Sequence, residues 1–334
     1  MEAAISLQPE AVSTRPNTSR FRYHGTGGSF FGLILGNALL TIVTLGIYSF
    51  WAKTRVRRFH YSHTDLFGER FAYHGTGGEL FSGYLKAVLL LIVLAIALVV
   101  VSSLVVGPSP SSGSLMEIGV VLVFYILIFL LMAVAVNGAR RYRLSRSSWR
   151  GIRFSFHGDK GDFVALMLRG TLLTIVTLGF YLPYFQNQRR AFFVNNARFG
   201  SEPFTYQADA RELFREYVKA VLLTVPTLAL YWIWYSAFKA RFFWMHTAIG
   251  TARFRSTVSG GELFSLSLTN VLLVIFTLGL GAPWAITRTH AFWCDKVSLR
   301  GDVDWASIQQ RAHDADATAE GMSDAFDVDV GIGM

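Results

Sequence analysis

Short stretches of alternating aromatic residues and long uninterrupted apolar stretches follow one another along the chain, and this combination recurs with a period of 50 residues. Each of five units begins with a phenylalanine, and 33 additional residues separate the second and third starts; the starts are Phe21, Phe71, Phe154, Phe204 and Phe254. The stretches without charge are 30–51, 87–106, 118–136, 170–185, 220–238 and 263–285. Because a helix needs about 17–25 apolar residues to cross a bilayer, we expect a mainly α, multi-pass membrane protein with about six transmembrane helices.

The aromatic residues at the unit starts predict short β-strands. Phe71 and Tyr73 occupy the first and third positions of the second unit, and three other units show the same alternation. A short apolar stretch with a glycine precedes the start, as at 66–73, so strand, turn and strand should form a small hairpin. An isolated hairpin is marginal in water, so we expect it to lie against the membrane surface or against other hairpins.

The apolar stretches usually end in Thr-Leu-Gly, followed by aromatic residues and arginines, as at 44–59, 177–193 and 277–293. Glycine and proline loosen a helix, so a bend is expected there. Tryptophan, tyrosine and arginine after the bend predict an amphipathic helix in the membrane interface. The second unit differs, because its apolar run turns through 107–114 and returns through 118–136, which predicts one additional crossing.

These boundaries divide the chain into three parts. Residues 1–20 form a polar N-terminal segment without the apolar core of a signal peptide, so the first apolar stretch is expected to remain in the protein. The membrane domain covers 21–301, in units 21–70, 71–153, 154–203, 204–253 and 254–301. The acidic tail at 302–334 has too little apolar surface to fold alone, so we expect it to be disordered and to offer a site for a protein partner.

Composition supports a membrane environment. Apolar residues make up 52% of the chain and charged residues 16%. The net charge of +9 conceals a basic membrane part, because residues 1–301 hold 30 basic against 14 acidic residues. The arginines follow apolar stretches directly, so anionic lipid is the expected partner and nucleic acid is not. The interfacial basic residues are Arg55, Arg57, Arg58, Arg140 and Arg141.

The arrangement of the stretches in the bilayer has two solutions. If all six cross once, alternate loops lie on opposite sides, and the excess of basic residues only weakly assigns one set of loops to the cytoplasm. Alternatively, some units enter the bilayer and return to the same side at the Thr-Leu-Gly bend, which needs protein or water around the turning backbone. Orientation stays open between these arrangements.

Two positions of the unit carry recurring charge. The ninth position is acidic in four units, as Glu79, Asp162, Glu212 and Glu262. A carboxylate in the first turn of a helix meets free backbone N–H groups, which favours a structural role over an ion or headgroup site. The sixteenth position is basic in three units, as Lys86, Arg169 and Lys219. A charge at that depth marks a pathway or ligand site, or else a side chain that reaches the interface along its own stem.

Histidine recurs at the fourth position, as His24, His74 and His157. Their spacing from the acidic position matches no established metal-ligand pattern, so a hydrogen-bonding role within the hairpin is favoured over zinc binding or proton relay. The chain has one cysteine, which excludes an intrachain disulfide, and no recognised catalytic or nucleotide-binding motif. We therefore predict no catalytic residue, metal or cofactor.

The segment RFAYHGTGGELFSGYLKAVLL, together with TLGIYSFWAKTRVRRFHYSHT, resembles the YjgN-like bacterial inner-membrane proteins, a family of unknown function. The resemblance covers about residues 20–300 and implies a multi-pass protein of the inner membrane. It implies no activity, cofactor or catalytic residue.

Three functions are compatible with these observations. The first is a non-enzymatic transporter or channel-like protein for an anionic solute or lipid headgroup, with Lys86, Arg169 and Lys219 along its pathway. The second is a structural protein that organises anionic lipid through its arginines. The third, ranked last, is a membrane-embedded hydrolase or transferase built on the recurring histidines and carboxylates.

Overall fold

A computed structural model describes residues 18–106, 115–305 and 308. Within these residues each unit follows one plan, in which two helices connect two short strands. The strands are β1 (Thr18–Arg20), β2 (Arg22–Tyr23), β3 (Thr64–Leu66), β4 (Glu69–Tyr73), β5 (Ser147–Trp149), β6 (Ile152–Phe156), β7 (Ala197–Phe199), β8 (Glu202–Tyr206), β9 (Thr247–Ile249), β10 (Ala252–Ser256) and β11 (Val297–Arg300). The helices are α1 (Gly27–Val43), α2 (Ser49–Ser62), α3 (Gly77–Val106), α4 (Leu115–Ser145), α5 (Lys160–Val176), α6 (Leu182–Asn195), α7 (Ala210–Leu222), α8 (Tyr231–Met245), α9 (Gly260–Phe276) and α10 (Ala282–Lys296).

The eleven described strands form one antiparallel sheet that closes on itself. Each strand pairs with its neighbours in chain order from β2 to β11, and β11 then pairs with β1. In the registers at the two ends, Arg20 lies opposite Ser298 and Tyr23 lies opposite Thr64. Because β1 and β2 are separated by Phe21 alone, they act as one bent strand that joins the two edges. The result is a nearly closed barrel.

The prediction of a mainly α protein with about six transmembrane helices is therefore wrong. In the described part of the chain, two segments are long and apolar enough to cross a membrane, Gly77–Leu104 and Ile118–Ser145. In the other units the apolar stretch is divided by a chain reversal, as in α1 and α9, which have 17 residues each. The chain reversal is as apolar as the helices beside it, so an uncharged stretch of sequence did not distinguish one long helix from two shorter ones. The short strands become a sheet only when all units pair.

The chain reversals have a shared geometry. The leucine of each Thr-Leu-Gly turn adopts a left-handed conformation with φ near +50°, and the next residue is also left-handed; these leucines are Leu45, Leu178, Leu228 and Leu278. Glycine follows in three turns and Ala229 in the fourth. The left-handed conformation of a non-glycine residue costs about 1–2 kcal/mol. Two consecutive left-handed residues reverse the chain, so each pair of helices forms a hairpin that returns to the sheet.

The ten described helices surround one end of the barrel as a closed ring. Each helix packs against its neighbours in chain order, and α10 packs against α1. Adjacent units fit closely at the glycine joint, where a Cβ atom on Gly27 would overlap the ring of Trp284, and one on Gly77 would overlap Trp51. The glycines therefore admit a tryptophan from the preceding unit.

The opposite end of the barrel contacts the beginning of the acidic segment. Val303, Trp305 and Ile308 pack against the apolar cluster formed by the strands. The polar residues 1–17 and most of the predicted tail at 302–334, including its expected disorder and its partner site, lie outside the described residues.

Candidate functional site: the barrel lumen

A closed ring of phenylalanines lines the interior of the barrel. The first residue of each unit contributes one side chain, and consecutive rings are stacked with centroids 6.1–6.5 Å apart. The five members are Phe21, Phe71, Phe154, Phe204 and Phe254. The first residue of each unit, which in the sequence indicated only a short strand, thus contributes to one ring of side chains, or belt, around an internal cavity.

Three further belts complete this cavity, here called the barrel lumen, which has a volume of about 300 Å³. Each belt contains the same position from every unit. The position before the hairpin turn supplies Leu66, Trp149, Phe199, Ile249 and Leu299. The start of the same strand supplies Thr64, Ser147, Ala197, Thr247 and Val297, and the end of the preceding helix supplies Tyr61, Leu144, Val194, Trp244 and Cys294.

The two ends of the barrel lumen differ in chemistry. At the end away from the helices, the ring of Trp305 contacts the rings of Phe67, Trp149 and Phe199 at 4.9–6.2 Å. At the helical end, two arginines and two histidines line the cavity, and no carboxylate is among the described lining residues; these four residues are Arg140, Arg190, His60 and His290. The lumen is therefore apolar and aromatic at its closed end and cationic at its helical end.

Arg140 and Arg190 occupy the same position in the second-last turn of the second helix of their units. The guanidinium of Arg140 lies 5.6 Å from the ring of Phe193, and that of Arg190 lies 5.4 Å from the ring of Trp244. Burial lowers the pKa of Arg190 to about 10, so the group remains charged at neutral pH. Within the described residues, Arg140 makes no hydrogen bond or ion pair, and its Nε is buried without an acceptor. A buried guanidinium with free donors favours an anion beside it.

A pair of histidines lies at the same level. The rings of His60 and His290 are stacked with centroids 3.8 Å apart, and the Tyr23 hydroxyl lies 2.8 Å from Nδ1 of His60. Burial lowers the pKa of His60 to about 3 and also lowers that of His290, so both rings are neutral at physiological pH. Burial raises the pKa of the Cys294 thiol to about 11, which keeps it protonated. The positive charge of this end comes from the arginines.

The basic residues of the sixteenth position lie outside this cavity. Lys86, Arg169 and Lys219 are exposed on the outer surface of the helix ring, and Lys219 pairs with Glu216. None of the three is among the residues that line the barrel lumen. Their assignment as pathway or snorkelling residues stays a prediction.

The acidic position lies in the first turn of a helix in all four units that carry it; its members are Glu79, Asp162, Glu212 and Glu262. Glu262 forms a reciprocal cap with Ser259 and pairs with Lys296 at 2.6 Å. Glu79 accepts hydrogen bonds from Tyr142 and Arg146, both at 2.7 Å. These contacts give the carboxylates of two units a role in holding the two helices of a hairpin together.

The three histidines of the fourth position stay apart in their own units. His24 lies 2.5 Å from a carboxylate oxygen of Asp65, and His74 lies 2.7 Å from the Ser148 hydroxyl. The backbone N–H of His157 donates to the carbonyl of Asn196. Among the described residues, no three histidine, cysteine or acidic side chains are grouped so that they could hold a metal ion.

The five arginines predicted at the interface divide into three kinds. Arg55 is exposed and donates to the Tyr48 hydroxyl, while Arg57 donates to that of Tyr73. Arg58 and Arg141 donate to backbone carbonyls of the next unit, at Gly75 and Gly158. The fifth, Arg140, lines the barrel lumen.

Sequence reasoning missed the lumen. The signal was the thirty-seventh position of the unit, which reads Arg57, Arg140, Arg190, Ala240 and His290. It lies four residues before the lumen position of Tyr61 and its equivalents, which places both on one face of a helix. Recognising this face required knowledge that the units close around an axis.

The fold and its cavity define a class of protein in which helical hairpins form a ring at one end of a nearly closed barrel, and two of the described helices have membrane-spanning length. The chain belongs to the bacterial protein family of unknown function DUF898, whose profile matches residues 18–234 and 220–325. It is similar to relatives named "Inner membrane protein YjgN". The relative from Escherichia coli O157:H7 is 32% identical over 137 residues, which are 41% of this chain and 31% of the relative.

Two further relatives with the same name give a similar picture. The protein from Escherichia coli K12 is 29% identical over 143 residues, or 43% of this chain and 32% of the relative. The protein from Salmonella typhimurium LT2 is 28% identical over 134 residues, or 40% and 30%. The matched part thus spans about a third of the length of these relatives. No solved structure matches the chain.

Proposed function

We propose that the chain is an inner-membrane protein that binds an anionic amphiphile in its barrel lumen. The ligand has one apolar chain or ring system, which lies among the aromatic belts, and a carboxylate or phosphate group, which lies between Arg140 and Arg190. The main supporting observation is Arg140, whose Nε is buried without an acceptor and which faces a cavity with no carboxylate among its described lining residues.

The membrane location is supported by composition and by relatives. The helices α3 and α4 contain apolar segments of 28 residues each. A helix of that length extends about 42 Å, more than the roughly 30 Å of a hydrocarbon core. The relatives that match are named inner membrane proteins. A protein in this location meets lipids and their single-chain derivatives at high local concentration.

The size and chemistry of the lumen restrict the ligand. A cavity of about 300 Å³ lies at the lower end of the range for small-molecule sites. It suits one chain or one ring system better than a phospholipid with two chains. Aromatic walls give apolar burial, whereas a desolvated guanidinium adds a charge-assisted hydrogen bond that a neutral analogue cannot form.

Binding fits the geometry better than conduction. A continuous path through the axis would have to pass the ring of five phenylalanines and Trp305, whose contacts with Trp149 and Phe199 close the far end. The exposed positions of Lys86, Arg169 and Lys219 also give them no part in the lumen.

The test uses purified protein and dansyl-undecanoate, a fluorescent single-chain carboxylate, with its uncharged amide as the comparison ligand. We expect saturable binding of the carboxylate, with energy transfer from the lumen tryptophans. Arg140→Gln should weaken carboxylate binding at least tenfold, since a hydrogen bond to a charged group contributes about 1.5–3 kcal/mol, and should leave amide binding unchanged.

Arg189→Gln is the matched control, because Arg189 is exposed on the same helix as Arg190 and does not line the lumen. It should bind like the wild type. Equal affinity of the carboxylate for the wild type and Arg140→Gln, with both proteins folded, would contradict the proposal.

A further inference from the structure

We infer that the helical hairpins of four units enter one leaflet of the bilayer and return to the same side, while the hairpin of the second unit crosses it. The surface concerned, called here the hairpin tips, comprises the turns at Leu45, Leu178, Leu228 and Leu278 with the adjoining apolar ends of the helices. Their partner is the hydrocarbon of the leaflet nearer to the barrel. The inference does not depend on a ligand in the barrel lumen.

The lengths of the exposed apolar zones support this partner. In the first and second units the zone begins at equivalent residues, Leu35 and Leu85, both about half exposed. It continues to Val43 in α1 and to Leu104 in α3. At 1.5 Å per residue these zones measure about 12 Å and about 28 Å. The first length matches roughly half of a 30 Å hydrocarbon core and the second matches all of it.

The exposure of the tips also requires an apolar surrounding. The four tip leucines are 87–94% exposed although they occupy a left-handed conformation that ordinarily favours glycine or asparagine. The side chains project away from the protein and make little contact with the described residues, so packing within this part of the chain does not offset the strain. Insertion of each leucine into lipid supplies a favourable transfer free energy, because it removes apolar surface from water.

Threonine hydroxyls supply hydrogen-bond partners to backbone groups of the tips, as an environment without water requires. In each turn the threonine hydroxyl donates to a carbonyl four residues earlier and accepts an N–H four residues later. In the third unit, Thr177 donates to Leu173 at 2.7 Å and accepts from Tyr181 at 2.9 Å. The equivalent residues Thr44, Thr227 and Thr277 make the same pair of bonds. A turn exposed to water does not need these hydrogen bonds, because water can satisfy its backbone groups. In hydrocarbon, an unsatisfied backbone group carries a large free-energy cost.

The topology of the sheet excludes an odd number of membrane crossings by any hairpin. The helical hairpin of every unit begins and ends at strands of one barrel, so each unit starts and finishes on the same side of the membrane. The second unit satisfies this condition by crossing twice, through α3 and α4. The other units satisfy it by turning back at their tips.

The test uses single cysteines in a Cys294→Ser background, in right-side-out and inverted membrane vesicles, with a membrane-impermeant maleimide. Glu69→Cys marks the barrel side, and Leu115→Cys marks the far end of the long hairpin, since both residues are exposed. We expect these markers to react in opposite vesicle orientations. Cysteines at the four tips should react in neither orientation, but fully after solubilisation in dodecyl sulfate.

Depth is measured in reconstituted vesicles by attaching bimane to the same tip cysteines and using phosphatidylcholine brominated at defined acyl positions. The strongest quenching is expected from bromines deep in the chain. Reaction of a tip in the orientation that labels Leu115→Cys would show a crossing and overturn the inference. Reaction in the orientation that labels Glu69→Cys would show that the tips stay in water and would overturn it equally.

Discussion

The second unit and the other four units start from equivalent joints and return to the same sheet, yet their helical hairpins differ greatly in length. The helix α3 has 30 residues and α1 has 17. All of the additional chain lies at the tip, because the residues on either side keep their places in the barrel, and Trp149 lines the lumen as Leu66 does. The sheet therefore determines where a hairpin is anchored, and the length of the apolar segment determines how far the hairpin reaches.

The largest effect is expected when the hairpin of the second unit is shortened to the length of the others. Replacing residues 94–131 by the five residues 44–48 of the first unit removes 33 residues and gives the second unit a Thr-Leu-Gly turn. We expect the barrel to form and the membrane crossing to be lost completely. The measurement is extraction of membranes with alkaline carbonate, which should release a much larger fraction of the chimaera than of the wild type.

A circular dichroism spectrum and binding of dansyl-undecanoate control for folding of the chimaera. Full retention of a folded chimaera in carbonate-washed membranes would show that the long hairpin is not what anchors the protein.

A smaller effect is expected from removing equivalent carboxylates in the second and fifth units, which should differ in their contribution to stability. Glu79 is 33% exposed and bonded to Arg146 and Tyr142, whereas Glu262 is 43% exposed and bonded to Lys296. Glu79→Ala removes the hydrogen bonds that Arg146 and Tyr142 donate to the partly buried carboxylate, so it should lower the free energy of unfolding by about 2 kcal/mol. Glu262→Ala should lower it by less than about 1 kcal/mol because solvent screens the pair. Denaturant titrations of the purified variants give both values.

Acid should remove the contribution of Glu262. Its hydrogen bonds with Lys296 and Ser259 lower the pKa of the carboxyl from 4.5 to about 2. A lowered pKa stabilises the fold above the unfolded value and loses that effect as pH falls. The difference between the wild type and Glu262→Ala should therefore shrink between pH 4.5 and pH 2. A difference that stays constant through this range would show that the carboxylate acts without its charge.

Another small effect concerns the threonine hydroxyl at a short tip. Thr177→Val removes both the acceptor for Tyr181 and the donor to Leu173, so a backbone N–H loses its partner. We expect a loss of about 1 kcal/mol in thermal or chemical unfolding. Thr174→Val is the control, since Thr174 donates to the carbonyl of Gly170 and its loss orphans no N–H. Equal losses in the two variants would argue against the capping role of Thr177.

The sequence indicated some of this architecture and concealed the rest. The period of 50 residues showed which residues are equivalent, and the aromatic alternation at Phe71 and Tyr73 indicated strands. It did not reveal the barrel, because the closing pairs join Arg20 to Ser298 at opposite ends of the chain. Local patterns carry no information about such a distant partner.

The candidate site was hidden for a related reason. Arg140 was predicted at the lipid interface because it follows an apolar stretch, and that argument does not distinguish the outside of a helix ring from its inside. Lys86 was considered as a pathway or ligand residue because its charge lies next to an apolar stretch, and the structure places it on the outer surface. Which face of α4 points to the axis depends on the helices beside it, and thus on the closure of all five units.

The bent strand formed by β1 and β2 also imposes an order on biosynthesis. Residues 18–20 pair with residues 298–300, which are synthesised much later. During translation β1 must therefore wait, with open hydrogen-bonding groups, until β11 has left the ribosome. Such an exposed edge is prone to pair with other chains, so the nascent protein is vulnerable to aggregation until β11 arrives.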